Sequence, residues 1–266
     1  MASPTISIIT IVLNQAQALE KTIKNLLTQS YDSLEYIIVD GGSTDGTLGI
    51  IEQYKDKISQ VISGVDINTS DAMNKGVYAA NGEMIGMIFA GDFYVDGVLD
   101  KVAKLYLQYP DVIIHGNIQY LKYSGESDHI STARDDSAAA INIHHFTAFV
   151  PQVVYRKVGL YDLNFFHAND YEFYLRAKVK GVEFLYLDET MASMTLGGNS
   201  DRNWMANYRE INKARILHGQ GSIQCYIRLW FMIVRTITRK ALEKIGADGI
   251  IRFYQYYISP VRKYRS

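Results

Sequence analysis

Four short apolar runs near the start of the chain constrain its fold more than any other feature. They are rich in β-branched residues and cover residues 6–13, 34–39, 58–63 and 84–89. The segments between them are predicted helices, at residues 15–27, 47–54 and 71–79. This alternation predicts an α/β fold, in which a Rossmann-type, mostly parallel sheet is flanked by helices and joined by right-handed crossovers.

The second half of the chain is less regular. We predict two short strands around residues 112–115 and 118–122, and a mobile loop over the polar stretch 124–137. The remaining predicted elements are a helix at 171–180, a strand at 182–187 and a helix at 203–218.

Length and cysteine content indicate one α/β domain, residues 1–220, followed by a helical tail, residues 221–266. A chain of 266 residues, of which 48% are hydrophobic, can bury a substantial core. The single cysteine, Cys225, cannot form an intrachain disulfide, and the first residues lack the basic and apolar regions of a signal peptide. We therefore expect a cytoplasmic protein.

Charge is distributed unevenly between these two parts. Residues 221–266 hold nine Lys and Arg against two acids, whereas residues 1–220 hold 18 basic against 26 acidic residues. The tail is also aromatic, at Trp230, Phe231, Phe253, Tyr254, Tyr256 and Tyr257. This mixture does not indicate a nucleic-acid partner and favours a helix on the surface of an anionic membrane. The alternatives are a helix that closes the domain and a homodimer contact.

Polar residues that directly follow the predicted strands are candidates for ligand binding. In parallel α/β sheets, ligands bind beyond the carboxyl ends of the strands, and here Asn14, Asp40 and Asp92 hold those positions. A glycine-containing loop and a helix start follow Asp40, at residues 41–47. Taken alone, this segment could equally be a helix-capping loop. Its glycine spacing is not that of a dinucleotide-binding fingerprint.

Several motifs, in a specific order, give the chain a resemblance to a known family. They are Ser7-Ile8-Ile9-Thr10, Val39-Asp40-Gly41-Gly42-Ser43-Thr44-Asp45-Gly46-Thr47, Asp71-Ala72-Met73-Asn74-Lys75-Gly76, Asn169-Asp170-Tyr171-Glu172 and Gly197-Gly198-Asn199-Ser200. Together they resemble the family 2 glycosyltransferases of the GT-A fold over about residues 5–200. The tail lies outside the resemblance.

The resemblance implies a nucleoside-diphosphate sugar donor, most often a UDP-sugar. It implies that Asp40 accepts a hydrogen bond from the base, and that Thr10 and Leu13 line the base pocket. Asn14 is assigned to the same site. Many relatives carry an aromatic residue at the position of Leu13, so we expect weaker stacking on the base. Asn74 and Lys75, on the third predicted helix, are also expected to face the donor. The alternative is that they lie on a solvated surface of this helix.

The end of the fourth strand departs from the family pattern. At Phe89-Ala90-Gly91-Asp92, close relatives commonly carry two consecutive aspartates, and here a glycine replaces the first. Mg²⁺ can be held by one carboxylate together with phosphates and waters, so Asp92 remains the predicted ligand of a divalent cation, Mn²⁺ or Mg²⁺. Gly91 is expected beside the donor. The alternative is that Asp92 is a turn residue in a degenerate site.

On the acceptor side, the resemblance implies an inverting mechanism with a general base. Asp170 is the candidate, although an N-cap of the predicted helix would have the same position. His144 and His145 are acceptor-side candidates, and no further residue at metal-ligand spacing accompanies them. Glu172 and Arg176 are expected to pair on a helix surface.

Together these expectations describe an inverting, metal-dependent hexosyltransferase. It would move a sugar from a UDP-sugar to a hydroxyl of a lipid-linked glycan in bacterial polysaccharide or O-antigen synthesis, at the inner face of the cell membrane. One alternative, favoured by the glycine at Gly91, is a relative that binds nucleotide or glycan without transfer. Another is a nucleotidyltransferase, but the glycine- and lysine-rich phosphate loop expected after its first strand is not visible.

Overall fold

The first 89 residues fold into the predicted alternation of strands and helices. The computed structural model of the protein describes residues 3–122, 126–133, 143–195, 203–244 and 263–264. Its first strands are β1 (Ile6–Val12), β2 (Leu34–Asp40), β3 (Gln60–Ser63) and β4 (Met84–Phe89). The helices between them are α1 (Ala16–Thr28), α2 (Thr47–Gln53) and α3 (Thr69–Ala79). Strand β1 pairs in parallel with β2 and β4, and β2 pairs in parallel with β3.

The remaining elements extend this sheet and cover it. They are β5 (Phe93–Tyr94), α4 (Val98–Tyr106), β6 (Ile113–Leu121), β7 (Ser127–Ser131), β8 (Phe149–Pro151), α5 (Gln152–Val158), α6 (Asn169–Val179), β9 (Phe184–Thr195), α7 (Trp204–Leu217), α8 (Ser222–Lys244) and β10 (Lys263–Tyr264). The sheet order is β10-β7-β6-β8-β4-β1-β2-β3, and β9 pairs with β5 and β6. The α/β class is confirmed. The first half of the sheet is parallel, whereas the second half combines the parallel pair β6–β9 with the antiparallel pairs β4–β8, β5–β9, β6–β7 and β6–β8.

Some details predicted for the second half are wrong. The two strands predicted between residues 112 and 122 are the single strand β6. Gly116 lies within this strand and does not interrupt it. Met191 packs on Gly116, and a Cβ added there would stand only 2.6 Å from the Met191 Sδ. The stretch predicted as a loop contains β7, which pairs with β6. The strand predicted at 182–187 continues to Thr195 along β6. Elements α4, α5, β5 and β8 have no counterpart in the prediction.

Two hydrophobic cores lie on opposite faces of the sheet, and the strands supply alternate residues to each. In β1, Ile8 packs into the core beneath α1 and α4, whereas the adjacent Ile9 packs into the core beneath α3, α5 and α6. This burial on both faces explains the continuous apolar runs of the sequence. The packed sheet therefore holds the carboxyl ends of β1, β2 and β4 in place.

The C-terminal helices are connected to the domain through α6. Glu172 on α6 is only 1% exposed, and it pairs with Arg176 at 2.9 Å and with His218, which follows α7, at 2.8 Å. The Glu172–Arg176 pair predicted on a helix surface is therefore an interior pair, because α7 covers this face of α6. Helix α8 packs in turn on α7. In the part of the chain that the structure describes, no helix combines the length and hydropathy needed to cross a bilayer.

Candidate active site

The carboxyl ends of β1, β2 and β4 meet at one edge of the sheet. Strand β1 lies between the other two, with Val12 paired to Asp40. Asn14 and Asp92, which follow β1 and β4, therefore lie at the same edge as Asp40. The sequence predicted this grouping from strand ends alone.

Asp40 is completely buried and organises the loop that follows β2. Its carboxylate accepts hydrogen bonds from the Gly42 and Ser43 amides, each at 3.2 Å, and from the Ser63 hydroxyl at 2.7 Å. A carboxylate has about four lone-pair positions, so these three donors leave capacity for one ligand N–H. The same bonds fix the orientation of the carboxylate before any ligand arrives.

Leu13 and Asn14 form the turn between β1 and α1. Asn14 has a left-handed φ of 53°, and its side-chain oxygen accepts a hydrogen bond from the Thr44 amide at 2.8 Å. The Leu13 side chain is 55% exposed. A Cβ added at Gly41 would stand 3.5 Å from Leu13 and 2.9 Å from a carboxylate oxygen of Asp66, so the Asp66 side chain would have to shift to make room for it. An apolar side chain and a carboxylate thus flank the backbone beside Asp40.

Asp66 is a residue of this edge that the sequence analysis missed. It follows β3 and pairs with Lys75 at 2.6 Å. Lys75 also pairs with Asp71 at 3.0 Å. The ammonium group of Lys75, which we expected to face the donor, is therefore already balanced by two carboxylates. The available signal was the rule used for Asp40, a carboxylate just beyond the end of a parallel strand.

Two of the predicted donor residues lie in the interior. Thr10 is completely buried and accepts a hydrogen bond from the Tyr36 hydroxyl at 3.2 Å. Asn74 is buried on α3 and exchanges two hydrogen bonds, each of 2.9 Å, with the backbone of Tyr161. The structure therefore places both side chains in contacts that hold elements together, Thr10 between β1 and β2 and Asn74 between α3 and the segment before α6.

Helix α1 holds the loop that follows β4. Gly91 has a φ of +100°, a conformation that L side chains rarely adopt, and its amide donates to the Thr22 hydroxyl at 2.9 Å. The side-chain amide of Asn25 exchanges hydrogen bonds of 3.0 and 2.9 Å with the backbone of Tyr94. The backbone conformation therefore favours glycine at position 91.

The Asp92 carboxyl group, the predicted ligand of a divalent cation, is buried just beyond the end of β4. It is only 9% exposed, and burial raises its pKa to about 7, although a backbone hydrogen bond from Thr195 favours the charged form. A cation at this point would offset the cost of ionising a buried carboxyl. Within the described ranges, no group of three or more His, Cys, Asp or Glu could hold a metal ion. The cation would complete its coordination with phosphate oxygens and water.

His145 connects β4 with the helix that carries Asp170. It lies in a 3₁₀ turn before β8, its ring meets Phe89 edge-on at 6.2 Å, and its Nδ1 is 3.0 Å from the Tyr174 hydroxyl. The buried Nε2 has no hydrogen-bond partner among the described residues. Burial lowers the pKa of His145, and the nearby charge of Asp170 acts in the opposite direction. The structure thus brings His145 and Asp170 together.

Asp170 lies in the first turn of α6. Its Oδ1 accepts a hydrogen bond from the Tyr171 amide at 2.7 Å, and no described residue bonds to Oδ2. The side chain can therefore stabilise the helix start with one oxygen and present the other to a substrate. The N-cap interpretation is wrong, because α6 begins at Asn169 with Ala168 at the N-cap position and Asp170 lies inside the first turn. The general-base role stays a prediction.

Helix α7 fixes the chain on both sides of Asp170. The Glu210 carboxylate accepts three backbone N–H groups of the preceding segment at 2.8–3.0 Å, from Phe166, His167 and Ala168. Arg215 donates to the Tyr171 hydroxyl at 2.8 Å. The sequence analysis missed these contacts, because they join residues about 40 positions apart and no local pattern indicates them.

His144 lies in different surroundings from His145. Its ring meets Tyr120 edge-on at 6.4 Å. Burial, together with the nearby His115 and His129, lowers the pKa of His144 to about 4. Of the two adjacent histidines expected on the acceptor side, the structure brings only His145 together with Asp170. The Gly197-Gly198-Asn199-Ser200 motif lies outside the described residues.

The fold and this site define a glycosyltransferase of the GT-A fold. A parallel sheet presents carboxylates after β2 and β4, and the later elements bring a third carboxylate, Asp170, toward the same strand ends. The model of the family described as glycosyl transferase family 2 matches residues 7–171, and the chain belongs to this family.

Comparison with individual proteins agrees. An uncharacterized glycosyltransferase of Rickettsia typhi is 26% identical over 279 residues, which cover 98% of this chain and 86% of that protein. The structure of S. aureus TarS 1-349 in complex with UDP-GlcNAc has a TM-score of 0.60 at 16% identity, covering 83% of this chain and 69% of that one. The mannosyltransferase PcManGT from Pyrobaculum calidifontis, in complex with GDP-Man and Mn²⁺, has a TM-score of 0.67 at 15% identity, covering 97% and 83%. These structural similarities show the shared fold.

Proposed function

We propose that this chain transfers a sugar from a UDP-sugar to a hydroxyl of a glycan acceptor, with inversion at the anomeric carbon. The observation that carries the proposal is the grouping of Asp40 and Asp92 at one sheet edge, with Asp170 linked to β4 through His145. Membership of a glycosyltransferase family supports transfer chemistry. The nucleotide sugars bound by TarS and PcManGT support a nucleoside-diphosphate sugar donor.

The donor would bind along the sheet edge. The Asp40 carboxylate has capacity for one more hydrogen bond, which the imide N–H of a uracil ring would donate. The exposed Leu13 would pack on the face of the base, and Asp66 offers a second carboxylate across Gly41. The base would therefore meet one apolar contact and a preorganised acceptor.

The diphosphate would lie at the loop of Gly91 and Asp92. Asp92 would hold Mn²⁺ or Mg²⁺, which when bound neutralises charge on the departing diphosphate. The Mn²⁺ in the PcManGT complex supports a divalent cation. Gly91 presents backbone without a side chain, so an anionic group can approach the loop closely.

On the acceptor side, Asp170 would act as the general base. Its Oδ2 takes the proton from the acceptor hydroxyl while the hydroxyl oxygen forms a bond to the anomeric carbon. The bond from that carbon to the diphosphate oxygen breaks, and its electron pair leaves with the nucleoside diphosphate. A single displacement inverts the configuration. The unpartnered Nε2 of His145 would hold the acceptor beside Asp170.

We further propose that the acceptor is a lipid-linked glycan of bacterial polysaccharide or O-antigen synthesis, and that the protein works at the inner face of the cell membrane. The excess of basic residues in 221–266, combined with aromatic residues, supports this location. A homodimer contact through the same segment is the alternative.

Calorimetric titration with UDP and GDP, with and without Mn²⁺, followed by a turnover screen of UDP-sugars, tests this function. We expect UDP to bind more tightly with Mn²⁺. Asp92→Asn should lose the metal dependence, whereas Asp96→Asn, at an exposed acid four residues later, should retain it. Binding without turnover of any UDP-sugar would favour the non-transferring relative, and no binding of either nucleotide would contradict the donor site itself.

A further inference from the structure

Helix α8 presents a broad apolar face that the described residues leave uncovered. Seven large apolar side chains on this helix are 40–78% exposed: Ile223, Tyr226, Ile227, Trp230, Phe231, Val234 and Ile237. Their spacing of three and four residues places them on one side of the helix. A contiguous apolar surface of this extent marks an interaction site. We call it the α8 apolar face.

The opposite side of α8 is packed on α7, which fixes the direction in which the apolar face points. Cys225 and Thr236 are buried on this side, and the Thr236 hydroxyl is 3.0 Å from the Tyr208 hydroxyl. The Lys240 ammonium lies 5.1 Å from the centre of the Trp204 ring. The helix therefore cannot turn its exposed apolar residues inward without breaking these contacts.

A cationic strip borders the α8 apolar face. At 100° per residue, Arg228, Arg235 and Arg239 fall on one narrow strip of the helix, between the apolar face and the buried side. All three are exposed. Residues 222–242 contain three arginines, one lysine and no Asp or Glu, so this part of the helix has a net positive charge.

We infer that the α8 apolar face docks on an anionic lipid bilayer, with its apolar side chains at the boundary of headgroups and acyl chains and the cationic strip on the lipid phosphates. This inference rests on the proposed function, which places the protein at a membrane, and it names the protein surface and the lipid charge that would make the contact. Charge complementarity selects this occupant. A second copy packed antiparallel through this face would bring the two cationic strips to the same side of the contact, where they repel. The segment that follows the helix, residues 245–262, contains two arginines and one acid. It therefore has no excess of negative charge with which to bind the cationic strip.

Docking in this way would also orient the site. Helix α7 contacts α8 on one side and holds the first turn of α6 through Glu210 and Arg215 on the other. The bilayer surface and Asp170 are therefore connected through one packed helix. The distance between Asp170 and the membrane surface would therefore be fixed, and a lipid-linked acceptor would reach the general base at that distance.

Vesicle sedimentation of the full-length protein tests the inference, with phosphatidylcholine vesicles that contain or lack phosphatidylglycerol. We expect binding only where the anionic lipid is present, weaker at high salt. Trp230→Ser with Phe231→Ser should weaken binding about tenfold or more. Arg228→Gln with Arg235→Gln should weaken it and remove the preference for phosphatidylglycerol. The matched control is Leu48→Ser with Leu107→Ser, which removes exposed apolar side chains elsewhere and should leave binding unchanged.

Three results would overturn the inference. The first is no vesicle binding by the wild-type protein, and the second is wild-type binding by the Trp230/Phe231 double variant. The third is a dimer of the wild-type protein that the same variant converts to a monomer, with vesicle binding unaffected. UDP titration separates this inference from the proposed function, because the α8 apolar face does not contact the donor edge. Vesicle binding without UDP binding would contradict the transfer proposal alone, and the converse would contradict the docking surface alone.

Discussion

The amide nitrogen of Gly91 donates a hydrogen bond to the hydroxyl of Thr22 at 2.9 Å. Thr22 is buried on α1, and its hydroxyl in turn donates to the carbonyl oxygen of Asp92 at 3.0 Å. One side chain therefore satisfies both backbone groups around the candidate metal ligand. This contact connects the position of the Asp92 loop to the packing of the first helix on the sheet.

Replacing Thr22 with valine should release this loop at nearly constant volume. We expect a loss of about 1–2 kcal/mol in the free energy of unfolding, because the Gly91 amide loses its acceptor. Mn²⁺-dependent UDP binding should weaken about tenfold. Denaturant unfolding and calorimetry measure the two effects. Thr28→Val, which removes an exposed hydroxyl of the same helix, serves as the control, and equal effects of the two variants would contradict this role of Thr22.

Replacing Asp170 with asparagine should separate a general base from a purely structural role in the first turn of α6. The amide oxygen can still accept the Tyr171 N–H, so stability and UDP affinity should stay near wild type. Turnover should fall roughly 10²–10⁴-fold, because no group removes the acceptor proton. Steady-state kinetics with the donor found in the screen measures this, with Asp111→Asn as an exposed control. Parallel losses of UDP binding and stability would show that Asp170 has only a structural role.

Replacing Tyr174 with phenylalanine should impair the use of the acceptor. The variant removes the hydroxyl that holds Nδ1 of His145 and keeps the aromatic ring in the core. We expect the acceptor KM to rise several-fold, on the order of 1 kcal/mol, with UDP affinity unchanged. Tyr155→Phe is the matched control, because this buried hydroxyl pairs with Tyr161 instead. An identical kinetic effect of both variants would indicate general loosening of the core.

The stability of the protein should fall at acid pH through His144. Its folded pKa of about 4 lies below that of an ordinary histidine, about 6.5, so the unfolded chain binds a proton first as the pH falls. The free energy of unfolding should therefore decrease from pH 6.5 to pH 4 by up to about 3 kcal/mol. Denaturant titrations at pH 7.5 and pH 5 measure the decrease. His144→Phe should reduce it, whereas His167→Asn should not, and an unchanged pH dependence in His144→Phe would be inconsistent with this assignment.

The strand ends show how much of the site the sequence could predict. Asp40 and Asp92 were found because strand length and turn residues are local properties, and parallel strands bring their carboxyl ends to one edge. The same rule could have found Asp66. Thr10 and Asn74 were also assigned to the donor, and the structure shows both in buried contacts between elements, so their role at the donor stays a prediction. A sequence pattern locates a residue on an element, whereas the packing partner decides which way its side chain faces.

The sequence by itself determined the α/β order, the positions of the strand ends, the helix that begins near Asp170 and the amphipathic tail helix. These follow from hydrophobic period and from capping or turn residues, which act over a few neighbouring positions. Only the tertiary structure decided that His145 lies within the electrostatic influence of Asp170, that Glu172 is buried, and that α7 holds the first turn of α6. Those contacts join residues far apart in the chain, and their free energy depends on burial and geometry that exist only once the sheet and helices have packed.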